Sequence, residues 1–382
     1  MRFEIVAGSC GRAHNAGMSS RRCVVIGAGI LGASVAARLA SAGMRVTLLD
    51  RDRPGRGTSR WSFAWVNSND KAPRHYHDLN HAGIRAWAEL APGLGGDAWY
   101  RPAGHVELAS AEGTPELTAR VGRLTEWGYP ARLVDPAEAA RLEPSLRVPA
   151  PGAFFLKEGY LLTEPLIACL VAQARSHGAE IRTGEPGRVT GLEPGAVPRV
   201  RTAAGVVLEA DEVVCCAGRW TPELAPIPLV PWRVPGSTAP GFVARIGPVT
   251  PPGPVRLVHT PELALRPHPG GLLHLEAPDA AVDLHTPESD LDRWAGELLR
   301  RAQRTVHGLD HARVVDRKVC PRPMPTDGQS IVGRLPGTPG VYVAVTHSGV
   351  TLAARLSQLI AEDLTTSTPP ACLAPYTPAR FT

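Results

Sequence analysis

The sequence predicts an α/β protein in which a Rossmann-like nucleotide-binding sheet is interrupted by an inserted α+β domain built on an antiparallel sheet. Three observations predict it. The run Ile26 to Asp50, IGAGILGASVAARLASAGMRVTLLD, reads as strand, glycine turn, helix and strand. Signals of the same kind return in the middle and near the end of the chain, in VVLEADEVVCCAGRW and PGVYVAVTHSGVTLAARLSQLIAEDL. Elsewhere, proline- and glycine-rich segments such as PGFVARIG, VRLVH and GGLLHLEA alternate as antiparallel strands do.

The elements follow in order. Cys23 to Ile26 is a short apolar strand, Ile30 to Ala42 has helical spacing, and Met44 to Leu49 is apolar again, which completes a βαβ unit. RDRPGRGTSR after Asp50 is a loop, and a helix runs from about His75 to Leu90, with His75 and His77 expected to face solvent. WYRPAGHVELAS alternates like a strand, 115–128 is helical, and DPAEAARLEP is a short helix capped by Asp135. Thr163 to His177 forms an amphipathic helix, VVLEADEVVCCAGRW holds two strands, 228–280 is an antiparallel meander, and Glu288 to Val306 is a helix.

At 382 residues the chain is longer than one hydrophobic core usually supports. The net charge of +5 comes from scattered residues without basic runs, which argues against nucleic acid as a partner. No apolar stretch reaches the roughly 18–20 residues a membrane span needs. The seven cysteines lack CxxC spacing and the histidines lack HExxH spacing, so a reducing cytoplasm and no metal are expected. The first 17 residues carry Arg2, Glu4 and Arg12 and do not read as a secretory signal; Met18 fits a natural start, with residues 1–20 as an N-terminal extension.

Gly27, Gly29 and Gly32 fit G-x-G-x-x-G between strand and helix. The first permits the tight turn, the second lets a pyrophosphate approach the backbone, and the third allows close helix–strand packing. With Ala28, Ile30 and Leu31 they place a phosphate on the helix N-terminus, where N–H groups and the helix dipole favour an anion. Asp50, followed by Arg51, ends the second strand and is placed to accept ribose hydroxyls. Nicotinamide and flavin dinucleotides both use this grip, so these residues leave the two open.

VVIGAGILGASVAARLASAG, EGYLLTEPLIACLVAQARSHGAEI, DEVVCCAGRW, RPMPTDGQSIVG and VYVAVTHSGVTLA, in that order, resemble the family of FAD-dependent amine and amino-acid oxidoreductases that includes D-amino-acid oxidase, glycine oxidase and monomeric sarcosine oxidase. The resemblance covers about residues 21–365. It implies FAD as cofactor. It also implies an FAD-binding domain from residues 21–90, 151–225 and 320–382, with a substrate domain from 91–150 and 226–319.

For single residues the resemblance implies that Arg322 holds the substrate carboxylate, a task suited to a planar guanidinium. His347, Ser348, Gly349, Val350 and Thr351 become the loop whose N–H groups reach the pyrimidine end of the flavin, with Arg322 and Thr351 as the catalytic candidates; the same letters also fit a serine-capped helix. Val189 takes the adenine-recognising position, Ala217 and Gly218 lie beside the pyrophosphate, and Thr58, Ser59, Trp61, Phe63 and Trp65 belong to a stretch along the flavin face or to the core. Cys320 stands at the spacing of a covalent flavin link, favoured if Arg317, Lys318 and Arg322 lower the thiol pKa. Relatives with an arginine at the position of Arg322 hold FAD noncovalently, and that is the expectation here. Sarcosine oxidase places a lysine near the flavin to promote reaction with oxygen; the corresponding strand here offers Leu273 and His274 instead, which leaves oxygen or an electron carrier as acceptor.

The implied reaction is oxidation of a C–N bond in an amino acid or N-alkyl amino acid, with hydride passing to the flavin and the resulting imine hydrolysed by water. Two other readings share parts of the pattern. A nicotinamide-dependent dehydrogenase would have the N-terminal fingerprint alone, and a flavin-binding subunit of a heteromeric dehydrogenase would pass electrons to a quinone or carrier protein without amine turnover of its own.

Overall fold

Six strands form the sheet that carries the glycine turn, in the order Ile331–Arg334, Val341–Val345, Glu212–Cys215, Arg22–Ile26, Arg45–Asp50, Glu180–Thr183. Neighbours run parallel except at the Ile331–Arg334 edge, which is antiparallel. The chain is seen here in a computed structural model, which describes residues 21–366 and 368–382. The expected N-terminal extension and the Met18 start lie outside the described residues.

Val341–Val345 and Glu212–Cys215 are buried at every position, as the middle strands of a sheet covered on both faces must be. One face carries the helix Ile30–Ser41, which packs on Thr163–Ser176 and on Gly349–Thr365, and Arg74–Leu90 packs on the last of these. On the other face a three-stranded antiparallel sheet, Val189–Glu193, Arg199–Thr202 and Val207–Glu209, buries Val200 against Val24, Ile26 and Val213.

The second large sheet has eight strands, ordered Arg313–Pro321, Pro240–Gly247, Leu272–Ala277, Leu263–His268, Leu257–Thr260, His105–Leu108, Gly152–Phe155, Ala131–Val134. It is antiparallel except between Leu257–Thr260 and His105–Leu108, which run parallel. Helix Glu288–Thr305 covers one face, setting Leu291, Ala295 and Leu298 against Phe242, Leu265 and Leu275. Asp135 caps its short helix as expected, its Oδ1 accepting from the Glu138 N–H at 2.7 Å.

Two of the expected domain boundaries move. Gly152–Phe155 pairs with His105–Leu108, and a Cβ at Gly152 would lie 2.1 Å from the Glu107 carbonyl oxygen, so this strand belongs to the eight-stranded sheet and not to the nucleotide-binding part. Likewise Arg313–Pro321 is one continuous strand across residue 320. A small sheet of Trp65–Val66, Gly159–Leu161 and Tyr100–Arg101 joins the two halves. No helix among the described residues is long and apolar enough to cross a membrane.

Candidate active site

The glycine turn is built by close approach. A Cβ on Gly32 would sit 1.8 Å from the Gly27 carbonyl oxygen, and one on Gly27, whose φ is +99°, would sit 2.5 Å from the Cys216 oxygen. Gly29 is the N-cap of Ile30–Ser41 and brings no side chain to the first-turn N–H groups. Of these, Ile30 N donates to Ser59 Oγ at 3.1 Å. Asp50 Oδ2 accepts from Ala28 N at 2.7 Å and Oδ1 from Asp52 N at 2.9 Å. Burial raises the Asp50 pKa while these backbone donors oppose the rise. Each oxygen keeps lone-pair capacity for a ribose hydroxyl.

These groups line a cleft of about 490 Å³. Its lining includes Val189, Asp50, Arg51, Gly27, Gly29, Ile30, Leu31, Thr58, Ser59, Ala217 and Gly218, together with His347, Gly349 and Val350. The turn at one end of the sequence and the loop at the other therefore face one cleft. Ala28 and Gly32 are outside its lining and serve the turn from behind.

The serine-capped alternative for the C-terminal loop does not hold, because Ser348 makes no side-chain cap to Gly349–Thr365. Its hydroxyl accepts from Tyr76 Oη at 3.1 Å instead, and its N–H donates to Thr346 Oγ1. The first N–H groups of this helix stay open to a ligand. His347 is kept neutral, its pKa pushed down to about 3 by burial and by the charges of Lys71 and Arg322.

Arg219 was not anticipated. Its Nη1 donates to Thr58 Oγ1 at 2.6 Å and to the Pro321 carbonyl at 3.1 Å, whereas its buried Nε has no partner among the described residues. It lies between two tryptophans, 3.8 Å from the Trp220 ring and 4.8 Å from Trp232, while Arg51 covers Trp220 and Arg233 covers Trp232. Burial lowers its pKa to about 10, so it stays charged at neutral pH. A half-buried cation with an unused donor in a cleft that also offers an uncapped helix N-terminus fits an anionic dinucleotide.

A second cavity, of about 550 Å³, shares Thr58, Ser62, Pro323, His347 and Val350 with the cleft. Trp61, Phe63 and Trp65 line it, together with Cys320, Arg322, Ser348 and Thr351. Arg322 is thus where the motif places it, but its fork is partly spent. Nε donates to the Ala239 carbonyl and Nη2 to the Thr238 carbonyl, both at 3.0 Å, which occupies the Nε–Nη2 side of the fork and leaves Nη1 as the unengaged nitrogen. Thr351 is 2% exposed, and its hydroxyl accepts from Asn67 N at 3.2 Å and donates to the Trp65 carbonyl at 3.3 Å. Its hydroxyl is therefore a structural tie, not a free catalytic group.

At Cys320 burial outweighs the basic neighbours. Burial pushes its pKa up to about 11 against the opposing charges of Arg219, Arg322 and Lys318. Arg317, expected to help, is held away by Glu288 and Asp292, each at 2.7 Å. The thiol stays protonated at neutral pH and its Sγ approaches the Thr58 carbonyl at 3.8 Å. Acid precipitation is expected to release all flavin into the supernatant; a yellow pellet after washing in denaturant would show a covalent link at this thiol.

The cavity wall is organised by a buried carboxylate that the sequence did not mark. Glu158 is 0% exposed and accepts from Trp65 Nε1 at 2.9 Å, Tyr129 Oη at 2.6 Å, His105 Nδ1 at 3.0 Å, Asn69 Nδ2 at 3.2 Å, and the N–H groups of Ser68 and Asn69. His105 in turn meets His259, a cavity-lining residue, edge to face at 4.5 Å. His77, expected in solvent, is buried in the same layer and bonds Ser68, while His75 is exposed and bonds Tyr376. His274 is buried as part of its strand, and Lys71 enters the cavity from a different segment.

The family profile described as FAD dependent oxidoreductase matches residues 22–363. The chain belongs to this family. FAD, rather than a nicotinamide, is therefore its cofactor, and the chain is an oxidoreductase. An uncharacterized oxidoreductase, YurR, of Bacillus subtilis is 26% identical over 93% of this chain and 98% of its own length. A glycine oxidase of Bacillus licheniformis is 24% identical over 89% of this chain and 91% of its own. Among solved structures, iminodiacetate oxidase from Chelativorans sp. BNC1 superposes with a TM-score of 0.76 at 22% identity, covering 94% of this chain and 99% of that one. L-amino acid deaminase from Proteus vulgaris gives 0.80 at 21% identity, covering 94% and 93%. These likenesses in shape establish the fold.

Proposed function

We propose that this FAD-dependent oxidoreductase oxidises the C–N bond of an amino acid or N-alkyl amino acid to an imine, which water then hydrolyses. The supporting observation is that the dinucleotide cleft and an aromatic, charge-bearing cavity meet at His347 and Val350. The relatives named glycine oxidase and iminodiacetate oxidase point to the same substrate chemistry.

In this reading Gly27, Gly29, Ile30 and Leu31 hold the pyrophosphate with Ala28 and Gly32 shaping the turn. Asp50 and Arg51 hold the ribose, Val189 the adenine edge, and Thr58, Ser59, Ala217 and Gly218 the middle of the molecule. His347 to Val350 take the pyrimidine end, and Cys320 packs beside the ring without bonding to it. FAD supplies the hydride-accepting chemistry when bound. The chain's own work is binding, orientation and exclusion of water. Arg322 offers Nη1 to the substrate carboxylate, and Phe63, Trp65 and His259 wall off solvent so that the amine is held in one orientation. Burial holds the His259 pKa well below its usual value, so the imidazole stays neutral and lines the cavity without charge. The six cysteines among the described residues are all free.

Anaerobic mixing with amino acids of both hands, N-methyl amino acids and their decarboxylated analogues tests the reading. Loss of flavin absorbance is expected with a carboxylated amine and not with its decarboxylated counterpart. Admitting oxygen then separates oxygen from a carrier protein as acceptor by the speed at which colour returns. Absence of bleaching by every amine would overturn the proposal and favour a flavin-binding subunit of a heteromeric dehydrogenase.

A further inference from the structure

We infer that Lys71 is the cation that chiefly binds the substrate carboxylate, and so sets the preference for acidic amines; this rests on the amine-oxidation reading above. Three cations line the substrate cavity: Lys71, Arg120 and Arg322. Arg120 is neutralised by an ion pair with Glu107. Arg322 spends Nε and Nη2 on backbone carbonyls and also faces Glu276, whose carboxyl oxygen and the Arg322 guanidinium both lie 3.7 Å from the Cβ position of Gly241. Lys71 takes part in no hydrogen bond or ion pair among the described residues, and it is partly buried. The cavity carboxylate next to it in sequence, Asp70, is exposed and forms no ion pair with it. A half-desolvated ammonium without a counter-ion gains most from an anion delivered by the ligand.

The segment that carries Lys71 is fixed from both sides. Glu158 holds Trp65, Ser68 and Asn69, and the Thr351 hydroxyl receives Asn67 N. After Lys71 the helix Arg74–Leu90 locks onto the flavin-side loop, with Trp87 Nε1 donating to the Val350 carbonyl at 2.8 Å and Gly83 so close that a Cβ there would lie 2.5 Å from the Thr351 oxygen. Lys71 is thereby held in register with His347, whose pKa its charge depresses. An α-carboxylate between Lys71 Nζ and Arg322 Nη1 would lie against the end of the cleft where the flavin ring belongs. Glycine-like substrates need only this anchor, and the remaining cavity accepts a larger side chain.

The test titrates the FAD-loaded protein with benzoate, an unreactive carboxylate, and follows the flavin spectrum, with benzamide as the uncharged control. Lys71→Met is expected to weaken benzoate roughly 30-fold or more, the loss that goes with removing one partner of a desolvated charge pair, and to leave benzamide and FAD content unchanged. Lys71→Arg should keep most of the affinity. Benzoate affinity in Lys71→Met equal to wild type, or a wild-type flavin spectrum that benzoate does not perturb, overturns the assignment. Benzoate binding that depends on Lys71 in a protein whose flavin no amine reduces would leave this assignment standing and remove the oxidation reading instead.

Discussion

Gly32→Val is expected to yield a protein that purifies without FAD and melts well below wild type. The first methyl carbon of any side chain at residue 32 would lie 1.8 Å from the Gly27 oxygen and 3.2 Å from Cys216 Cβ. The nearest obstacle is backbone, so relief requires moving helix Ile30–Ser41 off its strand. That displaces the uncapped N–H groups from the place where a pyrophosphate would sit. Overpacking of this kind costs typically ~1–3 kcal/mol, to which the lost cofactor linkage adds. The ratio of flavin to protein absorbance and a thermal scan read both effects. Gly122→Ala is the control, since its Cβ would meet nothing within 4 Å on an exposed helix face, and it should stabilise by about 0.5–1 kcal/mol. A yellow, wild-type-like Gly32→Val protein would refute the fingerprint as the cofactor's grip.

Glu158→Ala should be the most damaging single change outside the cofactor cleft, costing roughly 3–5 kcal/mol, because a buried carboxylate would leave its donors unpaired. Those donors are the Trp65 indole, the Tyr129 hydroxyl, His105, the Asn69 amide and two backbone N–H groups. Glu158→Gln keeps both a carbonyl acceptor and the shape, so it should lose much less. Urea unfolding of the FAD-loaded variants gives the comparison. An alanine variant within about 1 kcal/mol of wild type would mean that water satisfies these donors without cost, and the cavity wall would not depend on the carboxylate.

The cofactor side of the molecule was legible in the sequence because its determinants are local. Gly27, Gly29, Gly32 and Asp50 are set by a turn, a helix start and a strand end within one βαβ unit, and the cleft gathers the loop at His347 as the family pattern implied. The substrate side was much less so. Glu158 stands in an ordinary KEGY turn, His105 and His259 are far apart in sequence, and Lys71 precedes a helix in a polar run; only the pairing of Leu257–Thr260 with His105–Leu108 and the burial of Glu158 bring them together. Contacts distant in sequence also decide what the basic letters around Cys320 do: Arg317 is spent on the opposite side of its strand and desolvation dominates. His77 looked solvated because its neighbours Arg74 and Asp78 are, yet the face of the helix it occupies is covered by Trp127 and Tyr129.

The strand order of the six-stranded sheet has a consequence for biosynthesis. Glu212–Cys215 lies between Arg22–Ile26 and Val341–Val345, so the nucleotide-binding half cannot close until Val341–Val345 has been synthesised. Until then a nascent chain carries a bare apolar strand edge while it waits for its last neighbour, a state prone to sticking to other chains. Free FAD can capture the molecule only after that late closure, and truncation before Val341 would leave the early segments translated but without a cleft to fill.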